Sequence, residues 1–230
     1  MRLAVIPARG GSKRIPRKNI KDFLGKPIIA YSIEAALDSG CFDQVIVSTD
    51  DAGIAGVARA CGAETPFVRP PALADDFTGT NAVVKHALGW FQAEGVTFDT
   101  ACCIYATAPF LRPQDLKRGC DLLESGDKQF AFSVTTYDYP IQRALRISAQ
   151  SGLQMMYPEF SETRSQDLEA VCHDAGQFYW GRAQAFLNDL PLFAGHSLPV
   201  PLPRHLVQDI DTPEDWFTAE LMYKVSKSLE

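Results

Sequence analysis

The chain has 230 residues, a formal net charge of −6 at pH 7, 46% hydrophobic residues and 22% charged residues. These values exclude a disordered chain, and we expect one cytoplasmic domain spanning residues 1–230, because neither a signal peptide nor an apolar run of membrane-spanning length is present. The acidic charge argues against a nucleic-acid-binding protein, and six cysteines without a C-x-x-C pair favour buried thiols over a zinc site.

Short apolar runs alternate with helical patterns over more than half of the chain. Strands are predicted near residues 3–8, 45–48, 102–106 and 130–134, and helices near residues 27–37, 54–60, 81–91 and 114–123. This alternation predicts an α/β fold with a doubly wound, mostly parallel, Rossmann-like sheet.

The second part of the chain departs from this alternation. Residues 138–170 are predicted to form a small insertion beside the sheet, and a strand resumes at 177–180. An apolar run at 206–210 predicts a last strand, which leads into a helix that ends near residue 227. Thr212, Pro213 and Asp215 fit the N-cap, first and third positions of that helix.

A glycine-rich basic loop, residues 9–19, follows the first predicted strand. In open α/β sheets ligands bind at the carboxyl ends of strands, and glycines let backbone N–H groups approach phosphate oxygens. Five basic side chains in this loop could neutralise a triphosphate and stabilise a pyrophosphate leaving group. The loop matches neither G-x-G-x-x-G nor G-x-x-x-x-G-K-[ST]. It therefore indicates another kind of phosphate-binding loop, with a solvated charged loop as the alternative.

Asp209 and Asp211 flank Ile210 at the end of the last predicted strand. Alternation along a strand would turn both carboxylates to one face, where they repel each other unless a cation bridges them. Mg²⁺ suits such a pair, because it binds through one or two carboxylates together with substrate phosphates. The residues alone leave a second interpretation equally open, in which Asp211 caps the following helix.

Several segments spread along the chain form a recognisable set. They are Ile6-Pro7-Ala8-Arg9-Gly10-Gly11-Ser12-Lys13 with Pro16-Arg17-Lys18-Asn19, then Val45-Ile46-Val47-Ser48-Thr49-Asp50, Arg69-Pro70 with Leu73-Ala74-Asp75-Asp76, Ala106-Thr107-Ala108-Pro109-Phe110-Leu111-Arg112, and Asp209-Ile210-Asp211-Thr212. Together they resemble the CMP-sialic acid synthetase family of cytidylyltransferases. The resemblance implies a nucleotidyltransferase fold, CTP as donor, Mg²⁺ as cofactor, an acidic nine-carbon sugar as acceptor and a homodimer formed through the insertion.

The resemblance also assigns roles to residues by matching position. Nucleotide-binding roles fall on Ala8, Arg9, Gly10, Gly11, Ser12, Lys13, Lys18, Asn19, Arg69, Thr80 and Tyr105. Catalytic roles fall on Arg9, Lys18, Asp209 and Asp211, and the two aspartates are the expected Mg²⁺ ligands. Tyr105 stands where the family carries a glutamine, so we expect it to stack or hydrogen-bond in place of the amide.

Sugar recognition is expected in the insertion and in the strand near residue 177, where polar and aromatic residues mix. The candidate sugar ligands are Gln142, Arg143, Arg164, His173, Gln177 and Tyr179. Surface salt bridges and a buried strand are the alternative interpretations. The segments Pro140–Arg143 and His173–Gly181 resemble the family branch that acts on pseudaminic acid, whose product would serve glycosylation of flagellin or another surface glycan. Sialic, legionaminic and 3-deoxy-octulosonic acids are alternative acceptors, and a non-catalytic nucleotide-binding regulator is the alternative from another class.

Overall fold

The computed structural model describes residues 1–75, 78–148 and 152–228. Asp76, which belongs to the segments that carry the family resemblance, lies outside the described residues. The helices are α1 (Ile28–Asp38), α2 (Ala52–Ala60), α3 (Thr80–Ala93), α4 (Pro113–Glu124), α5 (Ala183–Leu187) and α6 (Pro213–Ser228). The strands are β1 (Arg2–Pro7), β2 (Asp22–Phe23), β3 (Lys26–Pro27), β4 (Gln44–Ser48), β5 (Thr100–Ile104), β6 (Phe130–Thr136), β7 (Leu145–Ser148), β8 (Gly152–Met155), β9 (Cys172–Arg182) and β10 (Ser197–Pro201).

Six strands of the described residues form the central sheet, in the order β10-β6-β9-β5-β1-β4. β1 pairs in parallel with β4 and β5, and β6 pairs in parallel with β10. Only β9 runs in the opposite direction, between β5 and β6. The prediction of a mostly parallel sheet is therefore confirmed, and the strand predicted at 177–180 forms the middle of β9.

Both faces of the sheet are covered, because successive residues of its strands point to opposite sides. Ala4 and Ile6 of β1 face a cluster that includes residues of α1, α2 and α4, whereas Leu3 and Val5 face a cluster with residues of α3 and α5. The neighbouring thiols of β5 divide in the same way, Cys102 to the first cluster and Cys103 to the second, as buried core residues. A strand buried on both faces appears in sequence as a continuous apolar run.

The strand predicted at residues 206–210 is wrong. A short 3-10 helix, Arg204–Leu206, ends at the first residue of this segment, and Leu206 and Ile210 pack into a cluster with Phe23 and Trp216. Side chains from elsewhere satisfy its carbonyl groups: Gln177 donates to the Leu206 carbonyl, and Lys18 to that of Ile210. The segment therefore holds two apolar anchors four residues apart instead of pairing with a strand.

The edge next to β6 is occupied by β10, which the apolar pattern did not reveal. Pro199 and Pro201 lie within this strand, and proline weakens a sequence-based strand signal because it cannot donate a ladder hydrogen bond. Prolines are tolerated at a sheet edge, where half of the backbone groups need no partner strand.

The inserted segment 138–170 contains an antiparallel hairpin of β7 and β8, separate from the central sheet. Leu145 and Ile147 of β7 lie opposite Met155 and Leu153 of β8, so these four side chains share one face. Ile147 is 85% exposed and Leu153 is 65% exposed. No helix among the described residues is long and apolar enough to cross a membrane.

Candidate functional site

A cavity of about 300 Å³ opens at the carboxyl ends of β1 and β5. The loop after β1 supplies most of one wall, and residues that follow β4 and β5 supply the others. Of the residues proposed for nucleotide binding, catalysis or metal binding, those that line it are Arg9, Ser12, Lys13, Lys18, Asn19, Arg69, Thr80, Tyr105 and Asp211. Residues far apart in sequence therefore meet at the sheet edge where α/β proteins bind ligands.

The basic loop is fastened to the start of α2 by an ion pair. Arg17 adopts a left-handed backbone conformation with φ of 52°, and its guanidinium donates to both carboxylate oxygens of Asp51 at 3.1 and 3.2 Å. The same carboxylate caps α2 by accepting from the Ile54 N–H at 2.8 Å. The hydrogen bond from Arg17 is the largest cause that lowers the pKa of Asp51. Arg17 therefore braces the loop, which corrects the expectation that all five basic side chains surround the ligand.

Gly10 of the loop serves packing more directly than phosphate contact, whereas a Cβ at Gly11 would meet no atom within 4 Å. The Gly10 N–H donates to Asp50 Oδ1 at 3.0 Å, so it is already engaged, and a Cβ at Gly10 would lie 3.0 Å from Asp51 Oδ2. Ala8 is buried in the core, and the Asn19 side chain donates to the Arg9 carbonyl at 3.0 Å. Ala8, Gly10 and Gly11 are not among the cavity-lining residues. These contacts fix the course of the loop.

Arg69 places a buried guanidinium in the cavity wall. Its side chain is 4% exposed, and its Nε and Nη2 atoms have no hydrogen-bond partner among the residues that the structure describes. The Asp50 Oδ1 atom lies 3.9 Å from Nη2, and burial lowers the pKa of Arg69 while Asp50 partly offsets that effect. Buried donors without partners are costly, so this site is built to receive an acceptor-rich ligand.

Asp211 lines the same cavity as Arg69 and is held by two cations. Arg14 Nη2 is 2.8 Å from Asp211 Oδ2, and Lys18 Nζ is 3.2 Å from Oδ1. Lys18 also donates to the Ile210 carbonyl at 2.7 Å. Helix α6 is capped by Thr212 and Asp215, which exchange hydrogen bonds in a capping box as predicted. The Asp211 carboxylate is therefore turned to the loop rather than to the helix end.

Asp209 is exposed and is not among the residues that line the cavity. Because residues 206–210 form no strand, the alternation used to place both carboxylates on one face does not apply. The two groups nevertheless interact: desolvation raises the pKa of Asp209, and the charge of Asp211 raises it further. Among the described residues, no three His, Cys, Asp or Glu side chains are grouped to hold a metal. A cation bound by the two aspartates would need further oxygen ligands, from a substrate or from water.

The wall opposite the loop carries hydroxyl groups. Thr80 begins α3, and Tyr105 follows β5 directly. The Tyr105 ring lies 5.4 Å from that of Tyr179, which is buried and donates to Asp174 Oδ2 at 2.6 Å. Burial is the main cause that raises the pKa of both tyrosines, so both are neutral at physiological pH. Tyr105 thus presents a neutral polar surface to the cavity.

A second cavity, of about 350 Å³, lies along the same edge of the sheet, at the carboxyl end of β6 and the start of β9. Arg204 pairs there with Asp138 at 2.8 Å, and the His173 ring lies 4.8 Å from that of Tyr137. His173 Nδ1 is 2.8 Å from the Asp174 carbonyl. The lining residues are Thr135, Thr136, Tyr137, Asp138, Tyr139, His173, Arg204 and Val207.

Comparison with known proteins assigns the chain to a family. Residues 3–179 match the family model described as Cytidylyltransferase. The chain belongs to the cytidylyltransferase family. It is 47% identical over 224 residues to the pseudaminic acid cytidylyltransferase of Campylobacter jejuni, with 97% of each chain covered. It is also 33% identical to the CMP-N,N'-diacetyllegionaminic acid synthase of Legionella pneumophila, covering 98% of this chain and 97% of that one.

A solved structure shares the fold of this cytidylyltransferase. The CMP:2-keto-3-deoxy-manno-octonic acid synthetase complexed with CTP superposes with a TM-score of 0.69, at 20% identity, and the match covers 98% of this chain and 99% of that one. The expected nucleotidyltransferase fold is confirmed by this likeness.

The residues expected to bind the sugar are mostly engaged within the cytidylyltransferase itself. Of the six, His173 lines the second cavity, and the other five line neither of the two cavities described above. Gln142 donates to the Glu169 carbonyl at 3.1 Å, Arg143 to carbonyls of Ser161 and Thr163, and Arg164 to Asp167 at 2.6 Å. Gln177 donates to the Leu206 carbonyl, and Tyr179 is buried as described. These contacts brace the inserted segment and β9.

Two cavity residues of the cytidylyltransferase were missed as site residues. Arg14 lies inside the basic loop, and its sequence position suggests only a contribution to the positive charge of that loop. In the structure its exposed guanidinium contacts Asp211. Arg204 follows β10 and stands in a Pro-Arg-His sequence that carries no functional signal of its own. The basic run could have pointed to Arg14, whereas Arg204 required the fold.

Proposed function

We propose that this chain transfers CMP from CTP to the C2 hydroxyl of pseudaminic acid, giving CMP-pseudaminic acid and pyrophosphate. The observation that carries the proposal is the cavity in which Lys18, Arg69 and Asp211 meet, with Arg69 holding two buried donor atoms that have no hydrogen-bond partner in the described structure. The identity of 47% with a relative of that name supports the choice of acceptor.

In this proposal the nucleotide lies against the loop. Arg9, Ser12, Lys13, Lys18 and Asn19 surround the triphosphate, while Arg69, Thr80 and Tyr105 hold the nucleoside end. The sugar hydroxyl gives its proton to a carboxylate of the Asp209 and Asp211 pair, and its oxygen forms a bond to the α-phosphorus. The bond from that phosphorus to the bridging oxygen breaks at the same time, and its electron pair leaves with pyrophosphate. Lys18 and Arg9 stabilise the charge on that leaving group because fixed cations act most strongly where charge develops. Ala8, Gly10 and Gly11 keep the loop in position.

We propose Mg²⁺ as the cofactor, held by Asp209 and Asp211. The donor set fits, because hard carboxylate oxygens suit Mg²⁺. Desolvation is the main cause that raises the pKa of Asp209, and the charge of Asp211 adds to it, a repulsion that a cation would relieve. When bound, the metal supplies Lewis-acid polarisation of the phosphate and a more acidic sugar hydroxyl. Two carboxylates leave room for phosphate oxygens and water in its coordination.

The acceptor is proposed to extend along the sheet edge from Tyr105 to the second cavity. Both cavities lie at one edge, because β1, β5, β6 and β10 run in parallel and the antiparallel β9 begins where they end. Arg204 offers a guanidinium for the sugar carboxylate, and His173 and Tyr139 offer further contacts. The size of the second cavity falls within the usual range for small-molecule sites.

The acceptor is tested by measuring pyrophosphate release with CTP, Mg²⁺ and separate nonulosonic acids. We expect kcat/KM for pseudaminic acid to exceed that for N-acetylneuraminate and N,N'-diacetyllegionaminate by at least about 10²-fold, because one unmatched buried polar group costs about that factor. A reaction with CTP and Mg²⁺ but no sugar acid gives the background rate of pyrophosphate release. Clear preference for the legionaminate, which the relative from Legionella makes the second candidate, would reject pseudaminic acid; absence of release with every acid would reject the transferase.

We propose that the chain acts in the cytoplasm, where CTP is available, and that its product serves glycosylation of flagellin or another surface glycan.

We propose further that the chain forms a homodimer through the β7–β8 hairpin. The exposed apolar face of the hairpin supports an interface. Light scattering is expected to give twice the chain mass, and Ile147→Asp to give the single-chain mass. Val225→Asp, at a residue 59% exposed on α6, is the matched control and should stay dimeric. A wild-type monomer, or a dimeric Ile147→Asp variant, would contradict the interface.

A further inference from the structure

Both oxygens of the Asp211 carboxylate are occupied by cations of the loop. Arg14 Nη2 lies 2.8 Å from Oδ2, and Lys18 Nζ lies 3.2 Å from Oδ1. All three residues line the first cavity. A carboxylate that already accepts charge-assisted hydrogen bonds at both oxygens is a poorer ligand for a divalent cation, since the metal must displace them.

A nucleotide in the cavity changes this competition. Triphosphate oxygens are strong acceptors that guanidinium and ammonium groups bind well, so they compete with Asp211 for Arg14 and Lys18. Each contact that a cation transfers to phosphate exposes an oxygen of Asp211, and the phosphates add metal ligands at the same time. Nucleotide and metal therefore favour each other's binding at this site.

We propose that Arg14 is a positioning residue that keeps Asp211 from binding a divalent cation until a nucleotide occupies the cavity. This inference rests on the proposed function. It assigns Arg14 a second task after the exchange, which is to contact the triphosphate. Loss of Arg14 should therefore strengthen metal binding to the empty site and weaken nucleotide binding without metal.

The two cations on Asp211 differ in how tightly the fold holds them. Lys18 is 20% exposed and also donates to the Ile210 carbonyl at 2.7 Å, so it is tied to the backbone beside Asp211. The Arg14 side chain is 64% exposed, which lets it swing without breaking buried packing. A change at Arg14 removes one contact and leaves the Lys18 contact in place, so it tests the exchange with little risk to the fold.

The test is Mn²⁺ binding to the protein without nucleotide, followed by electron paramagnetic resonance, together with CTP binding in EDTA, followed by calorimetry. Arg14→Gln is expected to tighten Mn²⁺ binding about two- to fivefold, the strength of a partly exposed ion pair, and to weaken CTP binding by a similar factor. Arg14→Lys, which keeps the cation, should remain near wild type. Lys117→Gln, at a cation that is also 64% exposed and lies on α4, should leave both affinities unchanged.

Opposite shifts in the two affinities separate this role from a structural one, which would move both in one direction or neither. Mn²⁺ binding to Arg14→Gln that is no tighter than to wild type, while CTP binding and turnover are normal in the wild-type protein, would overturn the inference and leave the proposed function standing. A gain that persists when Asp211→Asn is added would also overturn it, because the ion would then lie elsewhere. A wild-type chain that binds no CTP would overturn both.

Discussion

Asp211→Asn is expected to lower kcat/KM for CMP transfer by about 10³-fold, with little change in folding. The side chain keeps its size but loses the charge that Lys18 and Arg14 now neutralise and that the proposed metal requires. Removal of one group that stabilises developing charge commonly costs 10²- to 10³-fold in rate. The α6 cap is retained, because Thr212 and Asp215 form it. Steady-state pyrophosphate release and thermal denaturation measure the two effects.

Asp121→Asn is the matched control for this variant. Asp121 is an exposed carboxylate on α4 that pairs with Lys117 at 3.4 Å, so its loss removes a similar charge far from the cavity. We expect activity within about twofold of wild type, since exposed ion pairs contribute little. Turnover by Asp211→Asn close to that of this control would show that the carboxylate is not part of the catalytic site.

Arg69→Met is expected to weaken CTP binding about 10²-fold while leaving the free energy of unfolding unchanged or higher. The guanidinium is buried with two donor atoms that lack hydrogen-bond partners in the described structure, so its replacement by an apolar side chain removes a desolvation cost from the empty protein. The same donors are the ones that a bound nucleotide would satisfy, and truncating one partner of a buried charged contact costs about 2–5 kcal/mol in binding. Calorimetry with CTP and thermal denaturation provide the two measurements.

An exposed arginine on α2 provides the comparison for Arg69→Met. Arg59 donates to Thr65 at 2.6 Å, away from the cavity-lining residues, and Arg59→Met should bind CTP as the wild type does. A dissociation constant for Arg69→Met within twofold of this control would remove Arg69 from the nucleotide site. A fall in melting temperature of several degrees would indicate instead that Arg69 holds the fold through Asp50, since about 1 kcal/mol corresponds to about 2–4 °C in a chain of this size.

The fold was predictable where burial produces a regular spacing of apolar residues in the sequence. β1 is apolar at successive positions because both of its faces are covered, and the helices repeat apolar residues on one side, so their positions could be read within a few residues. β10 was not predicted, because its prolines weaken the sequence signal of an edge strand. Residues 206–210 were wrongly predicted as a strand, because apolar residues that anchor an irregular segment resemble a short strand. The pattern of apolar residues indicates which side chains are buried. It does not indicate whether a neighbouring strand is available for pairing.

The candidate site divides in the same manner. The loop at residues 9–19 could be found because its charge, glycines and place after a strand are local features. The second cavity takes residues from β6, β9 and the segments that follow β6 and β10, and no local signal joins His173 to Arg204. Gln142 and Arg143 look like ligand-binding residues in sequence, yet their side-chain nitrogens donate to backbone carbonyls, and only the folded structure reveals such internal partners.

The reversed direction of β9 makes the inserted segment interchangeable in principle. β6 ends and β9 begins side by side, with Thr136 paired to Cys172, so everything between them is a closed excursion that leaves the sheet and returns at one point. Lengthening or replacing such an excursion adds only a small, logarithmic entropy penalty and does not rethread the core. The inserted segment can thus change in length or sequence while the six strands of the central sheet keep their order and pairing.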